Sequence, residues 1–574
     1  MKWKLNTKKT KLLTIIFGVV SLIVSFVFAT ILNAPTFKEK TYKINSTYND
    51  KEVTLRATYY EKENATKGVL ICPGYSCDRQ KWRPFSNLFV KNGFSTFVFD
   101  YAGQGGSNKT IGFDNAKTDA IPKEIDDALT YFHNVSNIDY ENIILVGHSM
   151  GGRSILRLLQ DYNNPDAVTE VNKKNIKNVI LMSPEVNYNP NAQASLFAGT
   201  SDIEEYPWST FNEDYIKGTN VYLFGSTADD VVNDKDILQI AKRLGMNNIP
   251  NSGAFLGEEI NSNGDKICVG ITKGVLHSYQ MYSSKFASFV NDALKDINGN
   301  EMTFNPSLMS FVYCSLAFAL LGLFLTIFGL NMNYKWVAED DVPSLIDEKK
   351  FLLNKLLMWL PGIGFAFLIC CLCIIMPFGS PVMNIPYMCF IAGYGILMLI
   401  LYLKHKVKGI NGNLPIPTFK CKIDKRNLII CLVSSISICF FVWYILYSSM
   451  YRLIPFNWRI FWLLFATGLM GIGYYISGVE SDMLIKSNAS RRTRFLYNII
   501  QYIPLFLFAA FYLIIKSYSG LIGQIQNLIL MYVFCIPLGN FIKNRTNNRL
   551  IGALSSAFLF QVLMITSAAL IAMF

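Results

Sequence analysis

The pattern of apolar and polar positions divides the chain into two regions that meet near residue 300. In the first region, short apolar runs typical of buried strands alternate with segments of helical periodicity. These runs cover residues 68–72, 94–99, 143–146, 179–182, 221–224 and 267–271, after an alternating segment at 53–59. Strands that alternate with helices predict an α/β domain with a mainly parallel sheet and helices on both faces.

The second region consists of apolar runs that are each near the length of a membrane span. They lie at about 307–330, 353–376, 385–403, 427–449, 459–478, 496–515, 519–541 and 550–573. This pattern predicts an all-α polytopic transmembrane domain over 301–574 with about eight helices. No Asp, Glu, Lys or Arg lies near the middle of a run, which argues against an ion-coupled carrier.

The N-terminus combines a basic stretch at 1–11 with an apolar run at 12–32. No small-x-small cleavage pattern ends the run, so we expect a retained transmembrane signal anchor rather than a cleaved signal peptide. Residues 1–11 are then cytoplasmic, and residues 33–300 form an extracytoplasmic α/β domain. The alternation of strands and helices lapses over about 184–218.

Composition and charge support a multi-pass protein of the cell membrane. Hydrophobic residues make up 51% of the 574 residues, mean hydropathy is +0.27, and the net charge is +12. The predicted inner loops hold most of the basic residues of the second region: Lys335, Lys349, Lys350, Lys404, Lys406, Lys408, Lys420, Lys422, Lys425, Arg426, Lys486, Arg491, Arg492, Arg494, Lys543, Arg545 and Arg549. The predicted outer loops carry only Arg452, Arg459 and Lys516. This asymmetry predicts an outer C-terminus and membrane lipid as a partner, and we expect no nucleic-acid partner.

The segment 147–152, Gly-His-Ser-Met-Gly-Gly, carries the first sign of chemistry. It lies between an apolar strand and a helical segment, which is the context of a nucleophile elbow. Small residues are needed on both sides of Ser149, because a side chain at Gly147 or Gly151 would collide with the neighbouring strand or helix. Ser149 is therefore a candidate nucleophile.

An acid and a histidine follow the elbow, each just past a predicted strand. Asp229 and Asp230 follow the run at 221–224, and His277 follows the run at 267–271. The chain has four His, and the other three lie in a basic loop (His405), inside the elbow (His148) and at the end of a helix (His133). His277 is therefore the candidate base, while both aspartates remain candidates for the acid.

With the order Ser, Asp, His, residues 50–298 resemble the α/β-hydrolase superfamily, in the branch of monoacylglycerol-lipase-like esterases and serine aminopeptidases. The family spacing of an Asp followed three residues later by Val favours Asp229 over Asp230. The segment 100–107 resembles the family's D-x-R-G-x-G-x-S loop, with Ala102 where Arg is usual, and we expect a structural role for it.

The resemblance implies the remaining parts of a serine hydrolase. One is a short cap over the substrate site at about 184–218, for which the alternative is a surface loop without a substrate role. The backbone N–H groups of Tyr75 and Met150 would form the oxyanion hole, although Pro73 replaces the family's usual His before the glycine. Ser149, Asp229 and His277 would hydrolyse a small-molecule or lipid acyl substrate through an acyl-enzyme, with no cofactor and no metal. Cys72, Cys77 and Cys268 allow one disulfide at most, and we expect Cys72 and Cys268 to be buried thiols.

Alternatives remain open at this point. A carboxylic ester is the favoured substrate, but a peptidase or an acyltransferase would use the same three residues. In a different class, the chain would be a polytopic transport or sensor protein whose hydrolase-fold domain binds a ligand without catalysis. The sequence does not distinguish these classes and is silent on the role of the apolar helices.

Overall fold

A computed structural model describes most of the chain. The residues it does not describe are 1–6, 34–37, 49–50, 109–114, 165–170, 186–211, 332–341, 343, 346, 377–378, 382–383, 405–407, 410–411, 414–424, 426–428, 430–456, 515–517, 566–569 and 571–574. Most of the expected cap at 184–218 and all of the predicted span at 427–449 except Ile429 therefore lie outside the described residues. The structural statements below concern the described residues.

The first region is built around a nine-stranded, mostly parallel sheet. Its strands are β1 (Lys38–Tyr48), β2 (Lys51–Glu61), β3 (Gly68–Cys72), β4 (Ser95–Asp100), β5 (Ile143–His148), β6 (Asn178–Met182), β7 (Asn220–Ser226), β8 (Phe255–Ile260) and β9 (Lys266–Thr272). The spatial order is β1-β2-β4-β3-β5-β6-β7-β9-β8. The six neighbouring strands β4, β3, β5, β6, β7 and β9 are parallel to one another. The carboxyl ends of these parallel strands consequently meet at one edge of the sheet.

Helices cover both faces of the sheet. They are α2 (Arg83–Lys91), α3 (Asn115–Ser136), α4 (Met150–Asn163), α5 (Asp234–Arg243) and α6 (Ser284–Asn298). One apolar core contains residues of α3 and α4, and the other contains residues of α2 and α6. Strands β3, β4 and β5 are buried along their whole length, as expected of parallel strands covered on both faces. The predicted fold class of this region is confirmed.

Two strands were not predicted from the sequence. The polar stretch at 33–50 carries no strand pattern, but Lys38–Tyr48 pairs antiparallel with β2. Phe255–Ile260 pairs antiparallel with β9 and forms the opposite edge of the sheet. Both strands lie at the edges, where polar side chains remain in solvent, so their hydrophobic signal is weak.

The second region, together with the N-terminal segment, is helical. Its helices are α1 (Thr7–Asn33), α7 (Ser310–Asn331), α8 (Glu348–Ile374), α9 (Ile385–Leu403), α10 (Arg459–Lys486), α11 (Arg491–Ile514), α12 (Tyr518–Ile529), α13 (Ile536–Thr546) and α14 (Arg549–Ile565). A π-helical turn at Leu530–Cys535 joins α12 and α13. Seven helical segments of the described chain are long and apolar enough to cross a membrane. Of the predicted run at 550–573, the helix Arg549–Ile565 is described, and residues 566–569 and 571–574 lie outside the described residues.

Helices α1 and α7 pack closely as an antiparallel pair. Ser25 Oγ donates to the carbonyl of Ser315 at 2.6 Å, and Ser315 Oγ donates to the carbonyl of Ser25 at 3.1 Å. A Cβ on Gly18 would lie 2.7 Å from the backbone N of Thr326, so the backbones approach too closely for a larger residue. Small residues at a helix contact are typical of membrane helices.

The helices also bury ionised side chains at or just beyond the ends of the predicted apolar runs. Lys355 of α8 forms an ion pair with Glu480 of α10, which also accepts from Tyr394 Oη at 2.6 Å. Asp482 pairs with both Lys543 and Arg549. The run at 459–478 underestimates α10, which continues to Lys486 because these charges are paired inside the bundle.

The three cysteines of the α/β domain are free thiols in the structure. Cys72 is buried, while Cys77 and Cys268 are partly exposed. Burial raises the pKa of the Cys72 thiol well above its usual value. The single disulfide that the sequence allowed is therefore not formed.

Candidate active site

Ser149 lies in a strained turn between β5 and α4. Its backbone has φ 53° and ψ −120°, which a residue with a side chain rarely adopts. The Ser149 N–H donates to the carbonyl of Met182 on β6 at 3.0 Å, and its own carbonyl accepts from Arg153 at 3.0 Å. These bonds fix the turn at the carboxyl edge of the sheet, as a nucleophile elbow requires.

The glycines around Ser149 are required by close backbone contacts. A Cβ on Gly147 would lie 2.7 Å from the backbone N of Gly152, and a Cβ on Gly151 would lie 2.1 Å from the carbonyl oxygen of Cys72. Both distances are far below normal contact and involve backbone atoms that cannot move aside. The turn therefore accommodates no side chain at either position.

Asp229 and His277 come together at the same edge. Asp229 follows β7, His277 follows β9, and His277 Nδ1 donates to Asp229 Oδ2 at 2.9 Å. The other oxygen, Asp229 Oδ1, accepts from the N–H groups of Val231 at 2.9 Å and Val232 at 2.8 Å. Of the two aspartates left open by the sequence, Asp229 is the one held against His277.

The environment of this pair favours its ionised form. Burial alone would raise the pKa of Asp229, but the hydrogen bond and charge of His277 and the two backbone N–H groups outweigh it and lower the pKa. Burial alone would lower the pKa of His277, but the hydrogen bond and charge of Asp229 outweigh it and raise the pKa above 6.5. The negative charges of Glu185 and Asp230 add to the increase at His277.

One further residue that the sequence did not single out, Gln280, holds Asp229. Gln280 is fully buried, and its Nε2 donates to Asp229 Oδ2 at 2.6 Å and to Ser183 Oγ at 2.8 Å. Gln280 lies in the 3-10 helix His277–Tyr282. Side chains three residues apart in a 3-10 helix point the same way, which places Gln280 beside His277. That spacing was visible in the sequence, but the 3-10 conformation was not.

His148 supports the loop that carries His277. The two imidazole rings have centroids 4.7 Å apart, and His148 Nε2 donates to the carbonyl of His277 at 3.3 Å. Burial, followed by the charge of His277, lowers the pKa of His148 to about 3, so this imidazole is neutral. On the other side, the Trp82 ring lies 5.9 Å from His148.

The expected oxyanion loop lies directly against the elbow. A Cβ placed on Gly74 would be 3.2 Å from Ser149 Cβ, so the Gly74–Tyr75 backbone is adjacent to Ser149. Met150 is the first residue of α4, where a backbone N–H has no partner within the helix. The two predicted donors therefore flank Ser149 on different elements.

One contact of the expected triad is not made in this structure. Ser149 is 6% exposed and lies beside Gly74, but no hydrogen bond joins its Oγ to His277 among the described residues. In ligand-free enzymes such catalytic hydrogen bonds are often long and tighten when substrate binds. The geometry thus brings Asp229 and His277 into direct contact and places Ser149 on the same rim.

Comparison with known proteins gives matches to the α/β domain. Residues 68–226 match the family model described as alpha/beta hydrolase fold. Among solved structures, an esterase of Pyrococcus furiosus is 18% identical and covers 46% of this chain and 94% of its own, with a TM-score of 0.33. A carboxylesterase of Lactobacillus plantarum is 12% identical and covers 48% and 96%, with a TM-score of 0.32. A carboxylesterase of Bacillus subtilis is 13% identical and covers 49% and 99%, with a TM-score of 0.30.

The comparison with curated proteins gave no match. The family match over 68–226 confirms the resemblance stated from the sequence motifs, and the sheet order and its parallel pairings agree with it. The chain thus carries an α/β-hydrolase fold, joined to a helical region with several long apolar helices.

Proposed function

We propose that this protein is a membrane-bound serine hydrolase that cleaves carboxylic esters through an acyl-enzyme on Ser149. The observation that carries the proposal is the Asp229–His277 hydrogen bond on the rim where Ser149 occupies its strained turn. The family match supports a hydrolase. The ester substrate and the role of Ser149 are inferred from the arrangement of these side chains.

In the proposed reaction, Ser149 Oγ attacks the ester carbonyl carbon while His277 Nε2 takes the hydroxyl proton. Asp229 holds the His277 tautomer that presents Nε2 to Ser149, and its charge stabilises the imidazolium. The N–H groups of Tyr75 and Met150 stabilise the oxyanion. His277 returns the proton to the leaving alcohol, and water then releases the acyl group by the same steps.

We also propose a multi-pass orientation with the hydrolase domain outside the cell. The excess of Lys and Arg assigns the basic loops of the second region to the cytoplasmic side. Helix α1 begins, and helix α7 ends, at the same end of the α1–α7 pair, which we assign to that side. Lys11 Nζ, near the start of α1, donates to the carbonyl of Leu330 at the end of α7. The hydrolase domain lies between α1 and α7 in sequence and is therefore connected to the opposite ends of both helices.

The test is a substrate panel on the purified full-length protein. p-Nitrophenyl esters of two to twelve carbons are compared with aminoacyl p-nitroanilides, with and without an added alcohol acceptor. We expect ester turnover that is lost in Ser149→Ala and kept in the matched serine control Ser136→Ala. Faster anilide cleavage would indicate a peptidase, and acyl delivery to the alcohol would indicate an acyltransferase.

If the protein hydrolyses no substrate of the panel and forms no acyl-enzyme, the transport or sensor class would be favoured. In that case a ligand-dependent function would survive Ser149→Ala. The two outcomes are distinct because only the catalytic proposal requires the hydroxyl of Ser149.

A further inference from the structure

The loop that follows β4 joins the rim of the candidate site to the apolar helices. The carbonyl of Gly103 accepts two hydrogen bonds, one from the Arg459 guanidinium at 2.8 Å and one from the N–H of Leu570 at 3.0 Å. Asn457 Nδ2 donates to the carbonyl of Ser107 at 2.9 Å. Arg459 begins α10 and is fully buried, so this is a packed joint rather than a surface contact.

The same loop is tied to the oxyanion segment through Asp100. Gly106 N–H donates to Asp100 Oδ2 at 2.7 Å, and the backbone N–H of Arg79 donates to Asp100 Oδ1 at 2.6 Å. The Arg79 guanidinium also forms an ion pair with Asp100. Arg79 lies four residues beyond Tyr75, so few bonds separate the helix contact from the backbone beside Ser149.

Two other helices reach elements that adjoin the site. Leu32, near the end of α1, is fully buried with Trp82, and its carbonyl accepts from Asn87 Nδ2 at 3.1 Å. Tyr313 of α7 packs edge-on against Tyr282, the last residue of the 3-10 helix that begins at His277. Each of these contacts therefore involves an element that follows the carboxyl end of a sheet strand.

An exposed aromatic residue lies at this joint. Trp458 immediately precedes α10 and is 53% exposed, although it neighbours the buried Arg459. Tryptophan is enriched at the boundary between the acyl chains and water, where its ring is partly apolar and its N–H remains hydrated. The loop after β4 touches α10 at this same level, and an exposed apolar residue, Val231, lies on the rim beside Asp229.

Resting on the proposed function, we infer that the candidate site opens at the membrane surface and takes its substrate from the lipid leaflet. The substrate class is then an acyl ester of a membrane amphiphile rather than a water-soluble ester. The apolar helices hold the rim at the depth where the ester bond of such a molecule lies, between its acyl chains and its polar head. The joint at Gly103 is the element that sets this height.

The experiment compares two esters with the full-length protein in vesicles of phosphatidylglycerol and phosphatidylethanolamine. One is p-nitrophenyl butyrate in the aqueous phase, and the other is a fluorogenic long-chain acylglycerol in the bilayer. Two variants weaken the joint: Arg459→Gln removes the guanidinium, and Asn457→Gly removes an amide while tolerating the φ of 54° at that position. Labelling of Ser149 by a fluorophosphonate is recorded for every sample.

We expect wild type to hydrolyse the bilayer ester at least 10-fold faster than the soluble ester at matched total concentration. Each variant should lose most of that preference and keep its labelling and its rate on the soluble ester. Equal rates on both esters in wild type and variants, with labelling intact, would overturn the inference and leave the proposed function standing. No labelling and no turnover in wild type would overturn the proposed function itself.

A second readout does not depend on the variants folding. Wild type is labelled at Ser149 with a fluorophosphonate that carries a fluorophore on a short linker. Quenching of its fluorescence is then measured with spin-labelled phospholipid and, separately, with aqueous iodide. Strong quenching by shallow spin-labelled lipid is expected. Quenching by iodide alone would place the site away from the membrane and contradict the inference.

Discussion

Asp229 and His277 are joined by a 2.9 Å hydrogen bond from the imidazole Nδ1 to a carboxylate whose side chain is completely shielded from solvent. Both oxygens of that carboxylate are occupied, one by Val231 and Val232 and the other by His277 and Gln280. Such a carboxylate is rigid, because turning it would break several buried bonds. It fixes the orientation of the imidazole, which is the role proposed for Asp229.

The two adjacent aspartates are expected to differ sharply on substitution. Asp229→Asn should lower kcat by about 10⁴-fold, because the amide allows the wrong imidazole tautomer. Asp230→Asn is the matched control, since it removes the same charge one residue away and should leave kcat close to wild type. The measurement is ester turnover by both variants at equal protein. A large loss in Asp230→Asn with little loss in Asp229→Asn would reverse the assignment.

The pH dependence follows from the raised pKa of His277. The base must be neutral to accept the Ser149 proton, so kcat/KM should rise with pH and level off above a pKa higher than 6.5. Loss of the Asp229 charge removes a main cause of the increase, so the acid limb of Asp229→Asn should move to lower pH. The profile is measured from pH 5 to 9 on a soluble ester. An acid limb that moves to higher pH in the variant would contradict this account.

Gln280 is expected to act as a positioning residue for Asp229. Gln280→Met keeps the side-chain length but removes the donor to Asp229 Oδ2, and kcat should fall about 10-fold while KM changes little. A buried hydrogen bond to a charged group contributes about 1.5–3 kcal/mol, which is at least a factor of ten in rate. Gln280→Glu, which places a second carboxylate beside Asp229, should be more damaging. A change in KM alone would show that Gln280 serves substrate binding instead.

The ion pair between Lys355 and Glu480 is expected to matter for stability rather than for catalysis. Lys355→Met leaves the Glu480 charge buried without its ionic partner and should cost about 3–5 kcal/mol of unfolding free energy. The double variant Lys355→Met with Glu480→Gln should recover a large part of that loss. Thermal unfolding in detergent, together with turnover of a soluble ester, separates the two effects. Equal losses in the single and double variants would refute the pairing.

The elbow was predictable because local chemistry dictates it. Ser149 needs neighbours without side chains, and the apolar strand before it and the helix after it are strong signals within one short segment. Ser149, Asp229 and His277 each follow a predicted parallel strand, so the sequence placed them at one edge of the sheet. The choice between Asp229 and Asp230 depended on family spacing, because the turn that aims the Asp229 carboxylate is held by backbone groups of Val231 and Val232.

Other features depend on contacts between distant residues and were not visible in the sequence. The edge strands β1 and β8 gain their order from β2 and β9, because their own residues are polar. Helix α10 extends past its apolar run because Lys355, Lys543 and Arg549 neutralise Glu480 and Asp482. The hydrogen bond between Gly103 and Arg459 links residues that are 356 positions apart, so no local sequence pattern predicts it.

The central claim is that Ser149 is an activated nucleophile on the outer side of the membrane. Intact cells that express wild type, Ser149→Ala or Ser136→Ala are treated with a membrane-impermeant fluorophosphonate, and lysates are treated in parallel. Wild type and Ser136→Ala should be labelled in intact cells, and Ser149→Ala should not be labelled at equal expression. Labelling of wild type only after lysis would contradict the proposed orientation, and no labelling in either sample would contradict the catalytic role of Ser149.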